Sequence, residues 1–169
     1  MNPKALWSLT YGMYIVCSIK DGKQNGQIAN TVIQVAADPP MAAVCINKKN
    51  LTHEYISASR LFTASILCEE APMQLIGRFG FRSGRDIEKL DGVEQKMGTT
   101  GVTVVLEHGV AYLEVKVTDE VDVKSHTLFV GEIVDAEAIA DKAAMSYAYY
   151  HKIKGGKTPA NAPSYVKPQ

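Results

Sequence analysis

The sequence predicts a mainly β chain with peripheral helices, arranged as a closed or partly closed antiparallel barrel. Three observations predict it. β-like runs recur at short spacing along the 169 residues, with few helical patterns between them. In Tyr112-Leu113-Glu114-Val115-Lys116-Val117-Thr118 apolar and polar residues alternate, as in a strand with one wet face. No Gly-x-Gly-x-x-Gly follows a strand, which disfavours a Rossmann nucleotide domain.

Taken in order, Asn2-Pro3 starts a short helix running to about Leu9. Tyr14 to Ile19 reads as a strand, and Asp21-Gly22 as a hairpin turn. A long strand is expected from Gln24 to Val35, broken by Ala37-Asp38-Pro39-Pro40. Met41 to Ile46 is a continuous apolar run, suited to a strand buried on both faces. Leu51 to Ala58 reads as a helix with Asn50 as its cap. Phe62 to Cys68 is the next strand, and Ala71 to Phe79 a helix with Pro72 in its first turn. Residues 80–101 are rich in Gly, Ser, Arg and Lys, so loop is expected, with a short helix near Asp86 to Lys89. Val102 to Leu106, Val110 to Val123 and Thr127 to Val134 read as strands, and Asp141 to Tyr150 as a helix. From Lys157 on, three prolines and almost no core-forming residues predict an extended or disordered tail. The organisation expected is one domain over residues 1–158 and a tail over 159–169.

Composition bounds the function. The hydrophobic share of 46% and charged share of 21% fit a soluble globular domain. Eighteen basic and 18 acidic residues balance, which argues against a nucleic-acid binder. There is no signal-peptide pattern and no apolar run long enough to span a bilayer, so a cytoplasmic location is expected. Cys17, Cys45 and Cys68 are odd in number, far apart and set in apolar runs. Neither a disulfide framework nor a Cys-x-x-Cys metal site is expected.

The chemistry is concentrated between Gly26 and Tyr55. Lys48, Lys49, Asn50 and Thr52 form a compact donor set behind a buried strand, beside the free N–H groups of a helix start. Arg82, Ser83 and Arg85 form a second set in the glycine-rich loop. Such donors suit a phosphate; they equally suit a solvated basic loop and an ordinary cap. Asn30, Thr31 and Asn47 lie at strand edges, within reach of the polar rim of a planar ring. Backbone N–H groups around Cys45 and Ile46 offer the same service, although asparagine and threonine there also read as plain edge residues. His126, at the mouth of a strand, either faces an open site or caps the strand. No Gly-x-Ser-x-Gly, His-Glu-x-x-His or Walker loop occurs, and four scattered histidines give no metal-ligand spacing.

The chain resembles the flavin reductase-like, FMN-binding split β-barrel (Greek-key) family over about residues 5 to 158. Gly26-Gln27-Ile28-Ala29-Asn30-Thr31, Ile76-Gly77-Arg78-Phe79-Gly80-Phe81-Arg82 and His126-Thr127-Leu128-Phe129-Val130-Gly131-Glu132 occur in the right order. They look closest to the branch of archaeal ferric reductase and the flavin domain of high-molecular-weight rubredoxin. The resemblance implies an FMN-dependent NAD(P)H oxidoreductase that works as a homodimer, with flavin near the interface. It implies electron delivery to rubredoxin, a diiron flavoprotein, free flavin or a ferric chelate. Asn30, Thr31, Cys45, Asn47, Lys48, Asn50 and Thr52 would line the FMN site. His126 would sit beside the flavin face, where Cys45 either tunes the ring or makes room for it. Tyr150 and Lys154 would close the site. Lys124-Ser125-His126 stands where the wider family often has Gly-Asp-His, so the histidine is kept without its neighbours. The tail resembles a linker to a rubredoxin domain, which implies either a truncated fusion or a stand-alone chain with a loose end. A non-catalytic flavin-binding or redox interaction protein is the alternative; a pyridoxine phosphate oxidase-like enzyme fits less well, lacking a strongly basic phosphate clamp.

Overall fold

A computed structural model describes residues 2–165. After a 3-10 turn (Pro3–Ser8), β1 (Tyr14–Lys20) and β2 (Lys23–Ala29) form a hairpin. Asp21 and Gly22 at its tip have φ of 50° and 74°, the left-handed pair that matches strand twist. β3 (Val32–Ala37), β4 (Pro40–Asn47), α1 (Leu51–Ser59), β5 (Leu61–Leu67) and α2 (Met73–Phe81) follow. Then come the small hairpin of β6 (Gln95–Met97) and β7 (Thr103–Val105), the long pair β8 (Gly109–Val123) and β9 (His126–Ala138), and α3 (Tyr147–Lys152).

The sheet order is β2-β1-β5-β8-β9-β4-β3, and the pairs are antiparallel. Its two outermost strands are consecutive in sequence, with Asn30 and Thr31 alone between them. That link reaches at most roughly 10 Å, whereas seven strands laid flat would hold their outer edges roughly 30 Å apart. The sheet must therefore curl until its edges meet. The Cys45 N–H donates to the Thr31 carbonyl at 3.1 Å, so the β3–β4 ladder continues into this link. A split barrel results.

Strand alternation explains the apolar runs. In β1, Val16 points into the barrel with Ile46, Phe62, Ala64 and Phe129. Ile15 and Cys17 point outward under α2, against Ile76 and Phe79. A strand buried on both faces has no wet side, so it reads as continuously apolar. Gly26 lets α2 approach, because a Cβ there would lie 2.8 Å from Cys17 Sγ and 3.0 Å from the Phe79 ring.

Three expectations are corrected. The strand expected over Gln24–Val35 is two strands, because Asn30-Thr31 carries the chain from one sheet edge to the other. The helix expected from Asp141 begins at Tyr147. Before it, Ala144 bridges to Cys68 and Ser146 to Gly12, so tertiary pairing overrides helix propensity. Ser146 then caps α3 by accepting the Tyr149 N–H at 3.1 Å. Near Asp86 there are turns alone, with the N–H groups of Asp86 and Ile87 donating to the Ser83 carbonyl. Residues 159–165 lie back against the barrel, while 166–169 are outside the described residues.

Candidate flavin site

A cleft of about 460 Å³ opens at the seam, where β2, the end of β4, the start of α1 and residues 79–84 converge. The size suits one ligand of nucleotide scale.

One end of the cleft is built for an anion. Asn25 Nδ2 donates to Thr52 Oγ1 at 2.7 Å, a buried bond that pins β2 to the first turn of α1. Gly84 packs on this pair so closely that a Cβ would overlap Asn25 Oδ1. The Asn47 side-chain oxygen accepts the Lys49 N–H at 3.0 Å and turns the chain from β4 into α1. Asn50 occupies the N-cap position but makes no capping side-chain bond, so the first-turn N–H groups face the cleft beside Leu51 and Thr52. Lys49 and Arg82 line this end, and among the described residues neither has an ion-pair partner. Arg85, by contrast, is spent on Glu54 at 3.1 Å.

The other end is apolar, walled by Met13, Ile28, Ile76, Phe79, Tyr147 and Tyr150. Cys45 projects here because strand alternation sends Ile46 the other way. Burial pushes the Cys45 thiol above its usual pKa, so it is not a thiolate at neutral pH. Tyr150 is held by two bonds with Lys157, donating to its carbonyl at 3.0 Å and accepting its N–H at 3.1 Å. Gln27 borders the cleft with its side-chain oxygen buried and, among the described residues, without a hydrogen-bond partner. A ligand N–H would satisfy it.

The chain's own C-terminal strap forms one wall. Residues 159–163 line the cleft. Asn161 Nδ2 donates to Asn50 Oδ1 at 3.1 Å, and Asn30 Nδ2 donates to Ser164 Oγ at 2.6 Å. His126 Nε2 lies 3.1 Å from the Asn161 carbonyl, which can only accept, so Nε2 carries the proton. Ser125 Oγ sits 2.9 Å from Nδ1 and fixes the other side of the ring.

The structure thus gathers Asn30, Cys45, Asn47, Asn50, Thr52, Arg82 and Tyr150 around one cavity. It does not bring the others there. Ile46 is in the barrel core. Lys48 pairs with Asp122 at 2.5 Å. Thr31 turns to Asn30, donating to its Oδ1 at 3.0 Å. Lys154 borders a separate shallow pocket with Cys68 and Lys142. His126 reaches the site through the strap. Sequence reasoning missed Asn25, Gln27, Lys89 and Lys157. The polar pair flanking Gly26 was a signal, since alternate residues of a strand share a face.

A curled antiparallel barrel with this half-basic, half-apolar seam has the lining that a planar ligand with an anionic tail requires. The chain belongs to the family of the flavin reductase like domain, whose model matches residues 6–156. It is 51% identical over 167 residues to a ferric-chelate reductase (NAD(P)H) of Archaeoglobus fulgidus, covering 99% of each chain. It is 46% identical over 166 residues to a high molecular weight rubredoxin of Moorella thermoacetica, covering 98% of this chain and 72% of the relative. Among solved structures, an FMN-binding protein from Thermus thermophilus with bound p-hydroxybenzaldehyde superposes with a TM-score of 0.71 at 27% identity, over 78% of this chain and 73% of that one.

Proposed function

We propose that this protein is an FMN-dependent NAD(P)H oxidoreductase that passes electrons from nicotinamide to a rubredoxin or a ferric chelate. The observation that carries the reading is the charge of the cleft. The chain is neutral overall, yet its cleft is lined by Lys49, Arg82, Lys89 and Lys157 and, among the described residues, by no carboxylate. The unpartnered Gln27 oxygen and the apolar far wall fit a ring with polar edges.

FMN, when bound, supplies the two-electron acceptor that hydride transfer from nicotinamide requires. The protein's share is binding, orientation and exclusion of water. Lys49, Arg82 and the first turn of α1 would hold the phosphate. Asn30, Asn47 and Gln27 would meet the ring edge, and Cys45 would leave room for the ring. His126, whose Nε2 proton is bonded to the Asn161 carbonyl, would hold the strap at the edge of the site. No strong acid or base is needed.

The acceptors follow the names of the two relatives. A homodimer is supported by the edge strand β3, whose Ile33 and Val35 are 53% and 47% exposed on one face. Three unpaired cysteines support a reducing compartment, the cytoplasm. Among the described residues no helix is long and apolar enough to cross a membrane.

The test is the visible spectrum of the purified chain before and after anaerobic NADH or NADPH. Flavin bands that bleach support the proposal. A protein that takes up FMN yet stays oxidised with both donors would sink it.

A further inference from the structure

Two tyrosines stand in the apolar wall of the cleft, and their hydroxyls lead to different places. The Tyr150 hydroxyl is closed on the backbone of Lys157, donating to its carbonyl and accepting its N–H. The Tyr147 hydroxyl lies 2.7 Å from Thr158 Oγ1, and Thr158 Oγ1 lies 3.2 Å from His151 Nε2. Thr158 and His151 do not line the cleft, and His151 is partly exposed. A line of three side chains therefore runs from the cleft wall to the outside.

The hydrogen bonds fix its direction. His151 Nδ1 is 2.8 Å from the Gly156 carbonyl, which can only accept, so Nδ1 carries a proton. In the neutral ring Nε2 is then an acceptor. The Thr158 hydroxyl donates to it, and the Tyr147 hydroxyl donates to Thr158. When Nε2 gains a proton the line reverses, and the ring donates to Thr158 and Thr158 to Tyr147. Each hydroxyl can both receive and pass on a proton, as a relay requires. The ring is held in place for this. Tyr147 and His151 are one turn apart on α3 and meet edge to face, with centroids 4.4 Å apart at 87°. Gly156 packs so closely on the Tyr150 ring that a Cβ would overlap it, which brings the Gly156 carbonyl to His151.

The proposed reaction leaves a proton to dispose of. A reduced nicotinamide gives up a hydride, which is two electrons and one proton. Two ferric centres take one electron each and no proton, so one proton is left over in each turnover. We infer that Tyr147, Thr158 and His151 form a proton relay that carries it from the cleft to solvent, with His151 as the group that hands it to water. The inference rests on the flavin oxidoreductase reading and deepens it. Hydride transfer into the cleft does not use the relay; the loss of electrons to the ferric acceptor does.

The experiment compares wild type, Thr158→Val and Thr158→Ser. Valine keeps the shape of threonine without the hydroxyl, and serine keeps the hydroxyl. In the flavin-free wild-type chain, nitrogen NMR shifts of the neutral His151 ring should show Nδ1 protonated and Nε2 bare; the opposite tautomer overturns the relay. With FMN bound, stopped flow times each half of the turnover, bleaching by NADH or NADPH and recolouring by ferric EDTA, in light and heavy water. Expected in Thr158→Val is recolouring slowed about tenfold or more, with bleaching and FMN affinity unchanged, and Thr158→Ser close to wild type. Wild-type recolouring should be slower in heavy water. Equal slowing of both halves, or recolouring in Thr158→Val as fast as in wild type, would show a purely structural network and overturn the inference. If Thr158→Val does not fold, the wild-type chain decides alone: recolouring indifferent to heavy water overturns it. Bound FMN that never bleaches overturns the oxidoreductase reading and takes the inference with it, whereas the other adverse outcomes overturn the relay alone.

Discussion

His126 and Asn161 are joined by one hydrogen bond, 3.1 Å from ring Nε2 to main-chain carbonyl. With the Asn161–Asn50 and Asn30–Ser164 bonds, it lays the C-terminal strap over the seam. The strap is thereby latched to three residues expected at the flavin. A chain ending at Thr158 keeps the Thr158 bonds to Tyr147 and His151 but loses all three latches. The strap is also a wall of the cleft, so losing it should weaken FMN on the order of tenfold, about the worth of one or two neutral hydrogen bonds. Stopped-flow release of FMN reads this directly. An unchanged rate would mean that the strap is no part of the flavin site; slower release would mean that it competes for the site instead of covering it.

Gly84 tests the anion end. The Asn25 side chain cannot swing away from a new Cβ without breaking its bond to Thr52. Gly84→Ala should cost about 1–3 kcal/mol of stability from overpacking and weaken FMN more than riboflavin. Thermal unfolding and flavin titration check both. A variant with wild-type melting and wild-type FMN affinity would show that loop 82–85 moves freely and is not a preformed cradle.

How far the sequence could be read follows from the range of each contact. The Asp21-Gly22 turn was legible because its signal is two residues long. Strand β4 was legible from its unbroken apolar run, and the same period of two separates Cys45 from Ile46 once the barrel interior is known. Lys48 and Lys49 look alike in sequence; what divides them is Asp122, 74 positions from Lys48. The strap reads as a tail because Pro159 to Ser164 carries few core-forming side chains. Its attachments are polar and land on residues 30, 50 and 126. Lys89 gave no signal, since Glu88-Lys89-Leu90 reads as surface and only the placement of Gly26 and Phe79 buries it.

Cys45 has a definite expected behaviour. Its thiol borders the cleft, and burial raises its pKa. At pH 7 it should react slowly with iodoacetamide, and the rate should climb as pH rises beyond the ordinary thiol range, because the thiolate is the nucleophile. Bound FMN should protect it. Cys45→Ala should keep flavin and turnover if the side chain only leaves space for the ring. Flavin retained with turnover lost would assign the sulfur a part in electron transfer.

Glu114 governs the acid limb of stability. Its side chain is fully buried in β8. It accepts the Thr99 N–H at 2.9 Å, the Thr100 N–H at 2.9 Å and the Thr100 hydroxyl at 2.7 Å. Burial works to raise its pKa, but the bonds from Thr100 and Thr99 outweigh it, and the net shift is downward. A carboxylate depressed in the folded state adds stability that is complete above its unfolded pKa. That stability is lost as pH falls through the folded value. Glu114→Ala strands two N–H groups and a hydroxyl, which should cost about 2–4 kcal/mol at pH 7. Glu114→Gln keeps the shape and loses the charge. Its deficit in melting temperature should be largest near pH 7 and should narrow as pH drops below about 4.3, the ordinary glutamate value. Parallel melting curves of wild type and Glu114→Gln from pH 7 to 3 test this; a constant gap would mean that Glu114 titrates alike in the folded and unfolded chain and that its bonds do not favour the carboxylate.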